Sequence, residues 1–358
     1  MNGSSIFITG AAGFIASNLI LRILRDEGIR DVHVVGIDNM NDYYDVAIKE
    51  YRLRLIEEAA AESNSSWEFV KGSIADAGLI NGLFEKHDFR VVVNLAAQAG
   101  VRYSIVNPDA YMEANVMGFY RILEACRHSY DGGKEGVAHL VYASSSSIYG
   151  DSRSIPYRVE EPAEHPVSLY AATKKSDELL AHAYSKLYEI PSTGLRFFTV
   201  YGPAGRPDMA YFSFTNTLRE GGKIRIFNYG NCKRDFTFVD DVADGVLRVM
   251  QGAPERRTGQ DKLPLAPYAV YNIGNSSPVE LMEFIRILTE ELQRVGILEK
   301  DFDLSAHREL LPMQPGDVPV TFADTTALER DYGFKPTTPL REGLRRFADW
   351  YAAFYAGK

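Results

Sequence analysis

Short, nearly continuous apolar runs alternate with stretches of helical periodicity through the first part of the chain. Ile6-Phe7-Ile8-Thr9 predicts a buried strand, and Gly10-Ala11-Ala12-Gly13-Phe14-Ile15-Ala16 turns it into a helix reaching about Asp26. Val32–Ile37 predicts a second strand ending at Asp38-Asn39, followed by a helix over 43–62 with Ala47, Tyr51, Leu55 and Ala59 along one side. Further strands are expected at 67–71, 91–95, 138–144 and 195–198, with helices at 80–86, 108–127 and 170–188 between them. Alternating strands and helices, with strands apolar on both faces, predict an α/β fold built on a doubly wound parallel sheet. Ligands of such sheets lie beyond the carboxyl ends of the strands.

After Gly202 the alternation breaks. A strand over 223–227, a helix from about Asp241 to Met250, a loop over 251–267 and helices over 278–295, 324–331 and 340–354 are expected, while 269–273 returns to the sheet. The division follows: residues 1–200, with 237–273 rejoining them, form a dinucleotide-binding domain. A smaller α+β substrate lobe occupies 201–358, mainly 201–236 and 274–358.

Composition narrows the class. At 358 residues, 46% hydrophobic and 24% charged, the chain has the balance of a soluble globular protein. A formal net charge of −9 speaks against a general nucleic-acid or anionic-membrane surface, though not against a local basic pocket. The apolar N-terminal stretch lacks a basic leader and is broken by Gly10, Gly13 and Asn18, so neither a signal peptide nor a membrane span is expected. Cys126 and Cys232 are far apart, with no ligand partners at metal-binding spacing. No metal is expected, nothing supports a disulfide, and the cytoplasm is the expected compartment.

Candidate chemistry sits at two places. Gly10 and Gly13 let the backbone approach a pyrophosphate, the helix opening at Phe14 and Ile15 offers unpaired N–H groups, and Ala16 permits close helix–strand packing. A strand-to-helix turn can need glycine for geometry alone, but here Asp38 ends the next strand. A carboxylate there accepts from both adenosine ribose hydroxyls and repels a 2′-phosphate, favouring NAD over NADP in a Rossmann-type domain. Tyr170 and Lys174, four apart on a helix, lie about 5–6 Å from one another. Tyrosine and lysine share that spacing on many surface helices. Beside a cation within ~4–6 Å, however, a phenol of ordinary pKa about 10 can fall by roughly 1–3 units into the range of a general base. Ser145, ending the preceding strand, can share the same proton.

Taken together, Gly10–Ala16, Asn94-Leu95-Ala96-Ala97, Asn115 and Tyr170 with Lys174 resemble the extended short-chain dehydrogenase/reductase family, over essentially the whole chain. The resemblance implies that Asp38, Asn39, Leu95, Ala96 and Ala97 line the NAD site with the glycine turn. It also implies that Lys174 bonds the nicotinamide ribose and that Asn115 supports the site. Ser73 departs from the pattern, since many relatives carry Asp there, which leaves the carboxylate contact to the adenine amino group without its residue.

The serine-rich turn selects among the family's reactions. Relatives that eliminate water carry an Asp-Glu pair at Ser146-Ser147, and those that decarboxylate carry Glu at Ser147. Hydroxyls alone leave oxidation and re-reduction at C4, hence epimerisation. Residues 41–45, 98–104, 197–210 and 311–318 look like those of the UDP-glucuronate 4-epimerases. This implies a UDP-sugar substrate whose C6 carboxylate meets Arg206 in a charge-assisted pair, with Thr199 donating to it. A solvated arginine is the plainer reading of Arg206 in its Gly/Pro-rich loop. Arg102 is a second candidate for carboxylate or phosphate. By resemblance Arg234 contacts the diphosphate and Asp317 the uridine ribose, and Gln314 stands where UDP-galactose epimerases have arginine. Asp240-Asp241 reads as a helix cap and first-turn acid. A neutral UDP-hexose epimerase, a UDP-glucuronate decarboxylase and a non-catalytic NAD-binding protein are the alternatives. By analogy a homodimer is expected through the helices near 108–127 and 170–188, with Tyr111, Leu180 and Tyr184 exposed.

Overall fold

Seven strands build one parallel sheet in the computed structural model, which describes residues 1–314 and 318–356. The strands are β1 Ser5–Thr9, β2 His33–Asp38, β3 Ser66–Lys71, β4 Phe89–Asn94, β5 His139–Ser145, β6 Ser192–Phe197 and β7 Tyr268–Ile273. Their order is β7-β6-β5-β4-β1-β2-β3, every pair parallel, with Thr9 opposite both Ile37 and Asn94. The order reverses beside β1, so the crevice between β1 and β4 opens at the carboxyl ends, where Thr9, Asp38 and Asn94 terminate their strands.

Two apolar layers cover the sheet. One is set against helices Phe14–Leu24, Val46–Glu62 and Val239–Met250, and the other against Ala77–Lys86, Gly118–His128 and Leu169–Tyr188. Local signals set the helix starts: Asp45 accepts from the Ala47 N–H, Asp76 from Leu79 and Ser168 from Ala171. The helix expected over 108–127 is instead Pro108–Tyr111, a π turn Met112–Met117 and Gly118–His128. The strand expected over 223–227 spans Ile224–Ile226 and pairs with Arg308–Leu310, and the loop expected over 251–267 holds a two-stranded ladder, 257–258 with 264–265.

Other expectations need correcting. Helix Val239–Met250 begins after Phe238, so Asp240 and Asp241 are both first-turn acids and neither is the N-cap. Asp241 accepts from the Thr338 N–H at 3.0 Å. Tyr111 is buried, its hydroxyl donating to the Ala99 carbonyl at 2.9 Å, while Leu180 and Tyr184 pack partly against the second apolar layer. The exposed large apolar residues on these helices are instead Met112, Met117, Leu179, Leu187 and Tyr188. Both cysteines are buried free thiols.

His139, in the middle of the sheet, shares a hydrogen bond with Thr193 Oγ1 at 2.8 Å, and burial pushes its pKa down to about 4. A base whose folded pKa is depressed contributes stability above its unfolded pKa, about 6.5, and loses it as pH falls towards 4. Wild type is therefore expected to lose roughly 2–3 kcal/mol more than His139→Gln between pH 7 and pH 4.5 in urea unfolding. Equal losses would mean that the imidazole is not held neutral.

Candidate active site

At the end of β1, Gly10 takes φ +70°, and a Cβ there would lie 2.9 Å from the backbone N and Cα of Ala96. Gly13 donates its N–H to the Gly10 carbonyl at 2.7 Å, closing the turn. The first turn of helix Phe14–Leu24 carries no acidic side chain, so its N–H groups face the crevice unneutralised. Asp38 is buried and accepts from the Ala12 N–H at 3.2 Å and the Met40 N–H at 2.8 Å. On the other wall, Thr9 donates to Asn94 Oδ1 at 2.7 Å and accepts from the Ala96 N–H at 3.0 Å, which fixes Leu95, Ala96 and Ala97 against the glycine turn. A backbone cradle that any side chain at Gly10 would fill, beside a strand-ending acid, fits a dinucleotide such as NAD. Phe14, Ile15, Asn39 and Ser73 line the same cavity. Lys49, which sequence reasoning missed, lies 3.7 Å from Asp38 Oδ1 and donates to Asn41 at 2.9 Å.

The chemical centre is set by alternation along β5. Ser144 turns away and donates to Glu178 at 2.7 Å, and Ser145 turns towards the cavity, its Oγ accepting from the Ser147 N–H at 3.2 Å. Ser146, Ser147, Tyr170 and Lys174 line the cavity with it. Asn115, inside the π turn, joins three pieces. Its carbonyl accepts from the Gln98 N–H at 2.8 Å, and its amide donates to the Gln98 carbonyl at 3.1 Å and to Thr173 at 3.0 Å. The Tyr170 helix is thereby tied to the loop after β4. Lys174 is 2% exposed and donates to Asp177 Oδ2 at 2.7 Å, with Asp177 1% exposed. Burial pushes the Asp177 carboxyl up to about 6 against the pull of Lys174. The second Asp177 oxygen has no hydrogen-bond partner among the described residues.

The cavity, ≈ 1170 Å³, continues past this centre. That exceeds the roughly 300–1,000 Å³ of a single-ligand pocket and leaves room for a second ligand beside a dinucleotide. Thr199, Arg206, Arg102 and Arg234 line it, as do Asp208, Arg225 and Phe227. Arg206 is not a free cation: its Nε donates to Asp208 Oδ1 at 3.0 Å and its Nη2 to Asp208 Oδ2, with the Tyr43 hydroxyl 3.4 Å from the same carboxylate. The guanidiniums of Arg102 and Arg225 lie 5.0 and 5.4 Å from the Phe227 ring. Arg234 donates to the Lys233 carbonyl at 3.0 Å and the Pro319 carbonyl at 3.1 Å. A local cluster of arginines in an acidic protein suits a diphosphate. Gln314 is partly buried and does not line the cavity, and Asp317 lies outside the described residues.

Asp177 was also missed, though its place three residues after Lys174 on a helix is a signal that could have found it; Asp208 stands two residues after Arg206 in a loop, where spacing alone does not fix a partner. Arg225 and Phe227 carry no comparable signal, because strand pairing over a long separation places them.

The model of the NAD dependent epimerase/dehydratase family matches residues 6–274. Protein CapI of Staphylococcus aureus is 44% identical over 356 residues, covering 98% of this chain and 99% of that one. UDP-glucuronate 4-epimerase 4 of Arabidopsis thaliana is 41% identical over 362 residues, covering 99% of this chain and 77% of that one. The crystal structure of UDP-glucuronic acid 4-epimerase from Bacillus cereus, in complex with UDP-glucuronic acid and NAD, matches with a TM-score of 0.79 at 30% identity, over 98% of this chain and 100% of that one. With its glycine cradle, its Tyr170–Lys174 helix and a family match over most of its length, the chain belongs to the NAD dependent epimerase/dehydratase family.

Proposed function

We propose that this chain interconverts UDP-glucuronic acid and UDP-galacturonic acid by transient oxidation at C4. The observation that carries this reading is that Tyr170, Ser145 and Arg206 line one cavity, while the Ser145–Ser147 turn presents hydroxyls alone. Names among the relatives and the matched crystal structure support the same substrate class. Bound NAD supplies the acceptor, and then the donor, of the C4 hydride. Tyr170 takes the proton of the 4-hydroxyl, with Ser145 bonded to the same oxygen, and Lys174 lines the same cavity one helical turn on. After the 4-keto sugar turns about its diphosphate linkage, the opposite face of C4 is presented for re-reduction, and Tyr170 returns the proton to the C4 oxygen. Arg102, Arg225 and Arg234 hold the diphosphate and uridine end. The net redox change is zero, so NAD stays bound through turnover.

The 4-keto uronic acid is a β-keto acid and loses CO2 readily when its carboxylate stands across the ring plane. Arg206 and Thr199 hold it near that plane, Arg206 through the Nη1 group that its pairing with Asp208 leaves over. Arg206→Ala is expected to raise the share of UDP-pentose among the products, and an unchanged ratio would contradict this role.

The lobes divide the work: residues 1–200 and 237–273 hold NAD, while 201–236 and 274–358 hold the UDP-sugar, in a cytoplasmic homodimer. Exposed Met112, Met117, Leu179 and Leu187 support dimerisation on the two helices named above, and no helix among the described residues is long and apolar enough to cross a membrane. A single protomer mass in light scattering would overturn the dimer. A neutral UDP-hexose is the second reading, favoured by the pairing of Arg206 with Asp208. Purified protein given UDP-glucuronic acid without added NAD is expected to yield UDP-galacturonic acid by NMR. UDP-xylose would overturn epimerisation, and turnover of UDP-glucose alone would establish the neutral reading.

A further inference from the structure

Away from the catalytic crevice, three residues from separate elements converge at the β2–β3 edge. His33 opens β2, Glu68 lies in β3, and His87 follows helix Ala77–Lys86 just before β4. One ligand atom from each lies within 4.8 Å of the others. Glu68 Oε2 is 3.8 Å from His33 Nε2 and 3.5 Å from His87 Nε2. Around a metal with bonds of about 2.0–2.1 Å, neighbouring ligand atoms in a tetrahedron stand about 3.3–3.4 Å apart. The two glutamate–histidine spacings therefore need to close by only a few tenths of an ångström, and the two imidazole nitrogens, within 4.8 Å of one another, by no more than about 1.5 Å.

Four further features fit coordination. His33 Nδ1 is hydrogen-bonded to Ser66 Oγ at 2.7 Å, the outer contact that turns the Nε2 lone pair inward. The imidazole centroids are 5.2 Å apart, against about 5 Å for two rings sharing one tetrahedral ion. His87 Nε2 is buried with no hydrogen-bond partner among the described residues, and its ring stacks on Phe89 at 5.3 Å. Lys86 holds the other Glu68 oxygen at 2.7 Å, which orients Oε2 towards the histidines and leaves it available.

We propose that His33, Glu68 and His87 bind a divalent transition-metal ion of the zinc class, with a fourth position open to water. Two imidazoles and one carboxylate suit zinc or cobalt, not magnesium or calcium. The ion fastens edge strand β3 to its neighbour β2 and to the segment entering β4. It lies outside the catalytic cavity and takes no part in the C4 chemistry.

The test is titration of full-length, chelator-treated protein with ZnCl2 and CoCl2, followed by calorimetry, visible absorption and thermal unfolding. One equivalent of zinc with micromolar or tighter Kd, Co2+ bands of a four-coordinate site and a Tm raised by several degrees are expected, with no response to MgCl2. His87→Gln and Glu68→Gln should each weaken binding at least tenfold. Lys86→Met, which keeps all three ligands, should bind zinc, so a variant that fails to fold does not decide the outcome. Absence of saturable binding at 100 μM zinc, or equal affinity in His87→Gln and wild type, would overturn the proposal and leave an ionic trio of two histidines and a glutamate.

Discussion

Tyr170→Phe is expected to lower kcat on UDP-glucuronic acid by roughly 10²–10⁴-fold, the range for loss of a positioned general base. The substitution removes one hydroxyl. Tyr170 stands at the helix start, its ring edge-on to Tyr111 with centroids 6.0 Å apart, and Phe keeps that packing. Tm should therefore hold, and KM should change far less than kcat, because the hydroxyl acts on a proton that moves only in the transition state. Ser145→Ala should cost less, since Tyr170 remains to take the proton. A Tyr170→Phe variant with kcat within fivefold of wild type would remove the phenol from the chemistry.

Lys174→Met combines two effects that a second substitution separates. Lys174 and Asp177 form an ion pair at 2.7 Å with both side chains almost wholly buried. Removing one partner of such a pair typically costs about 3–5 kcal/mol, because the other charge is left desolvated and unpaired. Asp177 already lacks a partner for its second oxygen among the described residues, so nothing nearby compensates. Replacing both partners by apolar residues of similar volume is often neutral. Lys174→Met is thus expected to lower both stability and activity, whereas Lys174→Met with Asp177→Leu recovers most of the stability and none of the activity. Recovery of turnover in the double variant would assign Lys174 a structural role alone.

Much of this arrangement is legible in the chain, for identifiable reasons. β1, β2, β4 and β5 are buried on both faces and so appear as uninterrupted apolar runs. The turn after β1 is readable because Gly10 adopts a positive φ against the backbone of Ala96. Tyr111 shows where analogy misleads. It was expected on an exposed dimer face, but it is buried, with its hydroxyl donating to the Ala99 carbonyl, just before the π turn at Met112–Met117. The same turn delivers Asn115 to Gln98 and Thr173. Arg206 shows another limit: its type and loop were readable, but its pairing with Asp208 depends on how the loop folds back beside Tyr43. The meeting of His33, Glu68 and His87 follows from strand order, which no local spacing encodes.

The account turns on hydride leaving C4 and returning to the same carbon within one active site. The direct test is turnover of UDP-glucuronic acid carrying deuterium at C4, with the UDP-galacturonic acid product examined by NMR and mass spectrometry. Deuterium retained at C4 in the inverted product, with none released to water, is the predicted result. Product that carries solvent hydrogen at C4 would contradict it and require a proton-abstraction route for which Tyr170, Ser145 and the NAD cradle are not arranged.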